Sequence, residues 1–170
     1  MVIIISGIAG SGKTTVGSGL ALRLGFEFAD ADAYHSAENR AKMHTGLGLD
    51  DADREGWLLT LEQLVVSHLE SSAGLVLACS ALKESYRERL RKDPQRVVIF
   101  VLRVSPQILA KRLQKRAVHF AGPALLQSQI DTFEAPRRDA VVDGARLPSF
   151  VVRRIERHLC VLVGRSRLLA

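Results

Sequence analysis

The apolar run Val2–Ser6 leads directly into Gly7, Ile8, Ala9, Gly10, Ser11, Gly12, Lys13 and Thr14, and then into Val16, Leu20 and Leu24 at four-residue spacing. Few short patterns restrict a chain more. GxxxxGKT between a strand and an amphipathic helix marks a loop whose glycines let the backbone curl, so that successive amide N–H groups point into one concavity. The helix that follows turns its positive end to the same place. Such a concavity suits the phosphates of a nucleotide. Lys13 is expected to reach the β- and γ-phosphates, and Thr14 to place its hydroxyl on a Mg²⁺ ion that also touches them. Gly7, Ala9, Gly10, Ser11, Gly12, Lys13, Thr14 and Thr15 are thus the expected contacts to ATP.

The remaining apolar runs set the class. Strands are expected at Val2–Ser6, Phe26–Ala29, Leu75–Cys79, Val97–Leu102 and Ala140–Val142, each short and mostly too uniformly apolar for a sheet with one wet face. They alternate with amphipathic stretches, which is the pattern of an α/β fold: a five-stranded parallel sheet covered by helices on both faces. Val2–Ser6 and Leu75–Cys79 should form its middle. Trp57, Leu58, Leu61, Leu64, Val65 and Leu69 mark the core face of a long helix. Ser105 and Pro106 read as the N-cap and first position of a helix that turns Ile108, Leu109 and Leu113 inward, with Arg112 and Arg116 on another face. Ile155, Leu159 and Leu162 predict a closing helix that Gly164 ends. At 170 residues, without repeats or a long linker, one domain is expected. Two segments, 32–53 and 116–122, interrupt the sheet rhythm and are the expected mobile parts.

A phosphate loop does not name a reaction. No NKxD occurs, which disfavours a guanine-specific switch protein, and Leu75–Cys79 runs into Ser80 without an aspartate. An acidic metal partner must therefore lie elsewhere. Asp30 and Asp32, two apart in an extended segment, should project to one side. They put one carboxylate near Mg²⁺ and the other near an attacking hydroxyl, or they merely solubilise a turn.

Charge decides between partners. Lys plus Arg number 24 against 18 Asp plus Glu, a net charge of +6 that invites an anionic partner. The basic residues are scattered and aromatics are only 5% of the chain, so a solvated basic surface fits better than a nucleic-acid face. A nucleotide-dependent nucleic-acid-binding protein remains the reading from another class. It predicts strongly salt-sensitive binding. Cys79 and Cys160 form no CxxC pair or metal-ligand cluster, which suits structural thiols in a reducing cytoplasm. The start of the chain has no basic leader, and no apolar stretch is long enough for a membrane span, so no membrane partner is expected.

In its further motifs the chain resembles the gluconokinases, small phosphate-loop kinases of carbohydrate acids related in architecture to shikimate and nucleoside monophosphate kinases. The resemblance rests on the phosphate loop, Asp30 to His35, Asn39, Lys42 with Met43, Gly46 to Arg54 before Trp57, Cys79 to Lys83, Tyr86 with Arg87, His119 with Phe120, and Ser128 with Gln129. It departs from the family pattern at Ser36 and Gly48, where proline is usual, at Gly56, where another proline is usual, and at Ala31, where glycine is usual.

The resemblance implies a three-layer kinase fold, a substrate-binding insertion at about 32–56, a lid at about 116–130, a homodimer, and transfer of phosphate from ATP to the 6-hydroxyl of D-gluconate. Another small sugar acid or a polyol is the alternative acceptor. Asp32 is then the candidate that orients or deprotonates the hydroxyl, and Asp30 the one that holds Mg²⁺ through water. Arg54 is the candidate for the substrate carboxylate; the plainer reading pairs it with Asp50, Asp51 or Asp53 on the surface. Arg112 and Arg116 would close on the transferring phosphoryl group, unless they form an exposed basic face. His35 and His119 flank the pocket from opposite loops, Lys83 and Arg87 face its mouth one helical turn apart, and Gln129 joins them as a substrate contact. Tyr86, Leu82 and Leu90 are spaced as core.

Overall fold

The computed structural model describes residues 1–115 and 123–163. Strand β1 (Val2–Ser6) passes through the glycine loop into α1 (Lys13–Leu24), then β2 (Glu27–Asp30) and a 3₁₀ turn (Ala31–Tyr34). Helices α2 (Ala37–His44) and α3 (Asp51–Ser71) lead to β3 (Leu75–Ala78), α4 (Glu84–Leu90) and β4 (Val97–Arg103). Helices α5 (Pro106–Gln114) and α6 (Pro123–Thr132), β5 (Ala140–Asp143) and α7 (Pro148–Val163) complete the described chain. The five strands are parallel, in the order β2-β3-β1-β4-β5. β1 is central as expected, with β3 and β4 as its neighbours, and its carboxyl end opens into the glycine loop.

The uniform apolarity of β1 follows from burial on both faces, because alternate side chains of a strand point to opposite sides. Val2 and Ile4 enter a cluster with Trp57, Leu58, Leu61 and Val65 of α3 and with Tyr86 and Leu90 of α4. Ile3 and Ile5 enter another with Val16 and Leu20 of α1 and with Val151, Ile155 and Leu159 of α7. Each buried Leu or Ile contributes about 1.5–3 kcal/mol, offset by the ordering of the chain. The result is the three-layer α/β sandwich that the alternation of runs predicts.

Three expectations need amendment. Leu162 is not part of the buried α7 stripe, which ends at Leu159, but is 57% exposed. Pro106 does open α5, yet the Ser105 side chain makes no capping bond, and of its expected inward residues only Leu109 is buried. The chain does not stay extended from Asp30 to Asp32. Asp30 ends β2 and Asp32 stands in the 3₁₀ turn, whose start is capped by the Asp30 carboxylate accepting from the Asp32 amide at 3.1 Å. Gly164 and the segment 116–122 lie outside the described residues.

Candidate active site

The glycine loop is shaped by conformations that side chains resist. Gly7 has φ +146°, and a Cβ there would come within 2.8 Å of the Leu102 carbonyl oxygen and of Ser11 Oγ. Gly12, at φ +101°, turns the chain into α1, where the Val16 amide takes the Gly12 carbonyl at 2.9 Å. The start of the loop is pinned to the segment after β3: Ser6 Oγ donates to the Ser80 carbonyl at 2.6 Å. Lys13 Nζ folds back to the Ile8 carbonyl at 3.3 Å, so its ammonium lies over the loop it serves.

Thr14 and Asp30 meet although sixteen residues separate them. Thr14 Oγ1 donates to Asp30 Oδ2 at 2.8 Å. A hydroxyl and a carboxylate beside a phosphate loop form a hard-oxygen donor set, which is what Mg²⁺ takes alongside phosphate oxygens and water. Asp32 goes elsewhere, lining a pocket with His35, Arg54, Ser80, Tyr86 and Gln129. The turn after β2 thus sends one carboxylate to Thr14 beside the glycine loop and the other into the pocket.

Helix α3 starts in a capping box in which the Asp53 amide donates to Asp50 Oδ1 and the Asp50 amide to Asp53 Oδ2, both at 2.8 Å. Lys42 Nζ reaches Asp53 Oδ2 at 2.5 Å and Asn39 Nδ2 the Asp53 carbonyl at 2.7 Å, which ties α2 to the same end. This anchoring carries Arg54 into the pocket wall, its side chain 14% exposed. Arg54 Nη1 donates to Tyr86 Oη at 3.3 Å and stands 3.8 Å from Asp51. Lys83 Nζ donates to both Asp51 oxygens at 2.7 Å, and Tyr86 donates to Asp51 as well. Bonds from Lys83 and Tyr86 hold the Asp51 carboxyl below its ordinary range, while Asp51 raises Lys83. Two cations therefore share the Asp51 carboxylate at the pocket rim.

His35 is buried and stacks on Trp57 with ring centroids 4.6 Å apart; Trp57 Nε1 in turn donates to the Ala31 carbonyl at 2.7 Å. Burial lowers the His35 pKa, with Arg54 and Arg40 acting in the same direction against Asp32, so the ring is neutral near pH 7. Among the described residues its Nδ1 has no hydrogen-bond partner. Gln129 of α6 crosses to the glycine loop, where the Ala9 amide donates to its Oε1 at 2.8 Å. Gly48 brings its loop against the same helix: a Cβ there would meet Ser128 Oγ at 2.4 Å.

Two arginines are placed differently from the expectation. Arg87 does not face the pocket mouth. It is fully buried, donates to the carbonyls of Ala81, Leu82 and Glu134 at 2.9–3.0 Å, and pairs with Glu84 at 2.7 Å and Asp139 at 3.0 Å. It holds the Ser80–Leu82 wall, where Ala81 has the unusual φ of +38°. Arg112 donates to carbonyls on two sides, Gly10 and Ser11 of the glycine loop at 3.3 Å and Gly144 and Ala145 after β5 at 3.0 and 3.3 Å. That makes it a clasp between two loops. Arg116 and His119 lie outside the described residues. Sequence reasoning missed Asp51 as an organiser of the rim and Tyr86 as more than core; the i, i+3 spacing of Lys83 and Tyr86 was the available signal.

Comparison with known proteins agrees with this geometry. The model of the shikimate kinase family matches residues 9–142. The gluconokinase of Gluconobacter oxydans is 42% identical, over 92% of this chain and 89% of its own. Among solved structures, a sugar kinase from a Janibacter species superposes with a TM-score of 0.87 at 37% identity, covering 99% of this chain and 98% of its own. A gluconokinase from Sinorhizobium meliloti gives 0.81 at 37% identity, covering 95% and 97%. With a phosphate loop, a divided pair of aspartates and matches of this extent, the chain belongs to the gluconokinases of the shikimate kinase family.

Proposed function

We propose that this protein transfers the terminal phosphoryl group of ATP to the 6-hydroxyl of D-gluconate, giving 6-phospho-D-gluconate and ADP. The observation that carries the reading is one cleft with two halves: a phosphate loop flanked by Thr14 and Asp30, and a pocket that sets Asp32 against the Arg54 and Lys83 rim. The likeness to gluconokinases over nearly the whole chain supports it.

In this reading the loop amides and Lys13 hold the phosphates. Thr14 and Asp30 hold Mg²⁺, which when bound neutralises phosphate charge. Arg54, aided by Lys83, takes the carboxylate of the acid, since a cation and a planar carboxylate match in charge and shape. Asp32 orients the hydroxyl at the other end and accepts its proton as the new P–O bond forms and the bond to ADP breaks. Neutral His35, in the pocket lining, hydrogen-bonds a substrate hydroxyl. Arg112 steadies the glycine loop, and Arg116 and His119 keep the roles their positions in the sequence suggest. We further take the chain as one domain with an acceptor insertion at about 32–56 and a lid at about 116–130, acting as a cytoplasmic homodimer.

Coupled ADP-release kinetics on gluconate, related sugar acids and neutral polyols test the reading. Gluconate should accelerate ADP release well above slow basal hydrolysis, and Lys13→Met should abolish the acceleration because methionine supplies no charge. Equal ADP release with and without every acid would refute it.

A further inference from the structure

On the proposed reading the amide of Ala9 is one of the donors the glycine loop offers to phosphate, and in this structure it is engaged by Oε1 of Gln129 at 2.8 Å. The two residues are 120 positions apart, and the same Gln129 side chain lines the acceptor pocket with Asp32, Arg54 and His35. A carboxamide oxygen taking a loop amide makes the bond a phosphoryl oxygen would make there. An amide has a single hydrogen, so the two acceptors compete for it. Gln129 is also the group that reaches both halves of the cleft from α6, whose neighbour Ser128 packs on Gly48.

We infer that Gln129 is an internal competitor of phosphate at Ala9: it yields the amide to the nucleotide, and its released carboxamide turns to a hydroxyl of the sugar acid. It is a positioning residue that links the two half-sites, and it rests on the kinase reading above. Because binding linkage is reciprocal, an acid that draws the carboxamide away favours nucleotide, and nucleotide favours acid.

Calorimetry with the β,γ-imido analogue of ATP and Mg²⁺, with and without gluconate, tests this. Wild-type protein should bind the analogue more tightly when gluconate is present. Gln129→Leu, which has no acceptor, should bind it about two- to tenfold more tightly than wild type without gluconate, the weight of one exchanged neutral hydrogen bond. Gluconate should then add nothing. Gln129→Glu keeps an acceptor for Ala9 and adds a negative charge, so it should bind the analogue more weakly than wild type. Equal or weaker analogue binding by Gln129→Leu would overturn the inference, because the contact would then support the bound loop instead of competing with it. Failure of wild-type protein to bind the analogue at all is a different result and would overturn the kinase reading itself.

Discussion

Replacing Asp139 by asparagine removes one charge and almost no volume, and it separates two roles that Arg87 could fill. Asp139 has no exposed side-chain surface and stands 3.0 Å from Arg87 and 2.5 Å from Arg91. Its loss takes the buried carboxylate from both guanidiniums and leaves Glu84 on Arg87 and Glu88 on Arg91. Breaking a buried pair from one side costs about 3–5 kcal/mol. For a chain of 170 residues each kcal/mol shifts the melting temperature by about 2–4 °C, so the variant should melt about 6–20 °C below wild type. Scanning calorimetry measures this, and kinetics at a temperature well below the transition give the companion value, a KM for gluconate within about threefold of wild type, far less than loss of a carboxylate-binding arginine would cause. A wild-type melting temperature together with a large, selective rise in that KM would refute the structural role and return Arg87 to the substrate.

Arg54→Met is the converse experiment. Its melting temperature should stay near wild type while kcat/KM for gluconate drops about 10- to 150-fold, the weight of a hydrogen bond to a charged group; an unchanged value removes Arg54 from the acid site. His35 has a pKa below that of an unfolded histidine, so the unfolded chain takes up the proton first. This contribution to stability is complete above about pH 6.5 and falls as pH drops from there toward the folded pKa. Melting curves from pH 7.5 to 5.5 should show that loss, and His35→Gln should flatten it. Gly56→Ala places a methyl in open space inside α3 and should raise stability by about 0.5–1 kcal/mol in chemical denaturation; a decrease would mean that α3 needs flexibility there.

What the sequence reveals of this molecule follows the range of the forces involved. Strand β1 and the glycine loop are legible because burial on both faces demands Val2 to Ile5, and the curl demands glycine at 7 and 12. Asp30 and Asp32 stand out in the sequence, but the extended segment expected for them is not formed. The Asp30 carboxylate captures the Asp32 amide, a local bond that competes with strand geometry. Arg54, Arg87 and Arg112 look alike in a linear reading. Their fates depend on partners far along the chain: Tyr86 for the first, Asp139 for the second and Gly144 for the third. The bond from Ala9 to Gln129 is of the same kind, since only the folded sheet and α6 bring the two together.

The central claim is that phosphate leaves ATP for a sugar acid held beside the loop. Phosphorus NMR of a mixture of protein, Mg·ATP and D-gluconate follows that transfer directly. A phosphomonoester signal should grow in step with ADP and vanish when Asp32 is replaced by alanine or gluconate is omitted. ADP accompanied only by inorganic phosphate, with no ester under any condition, would contradict it.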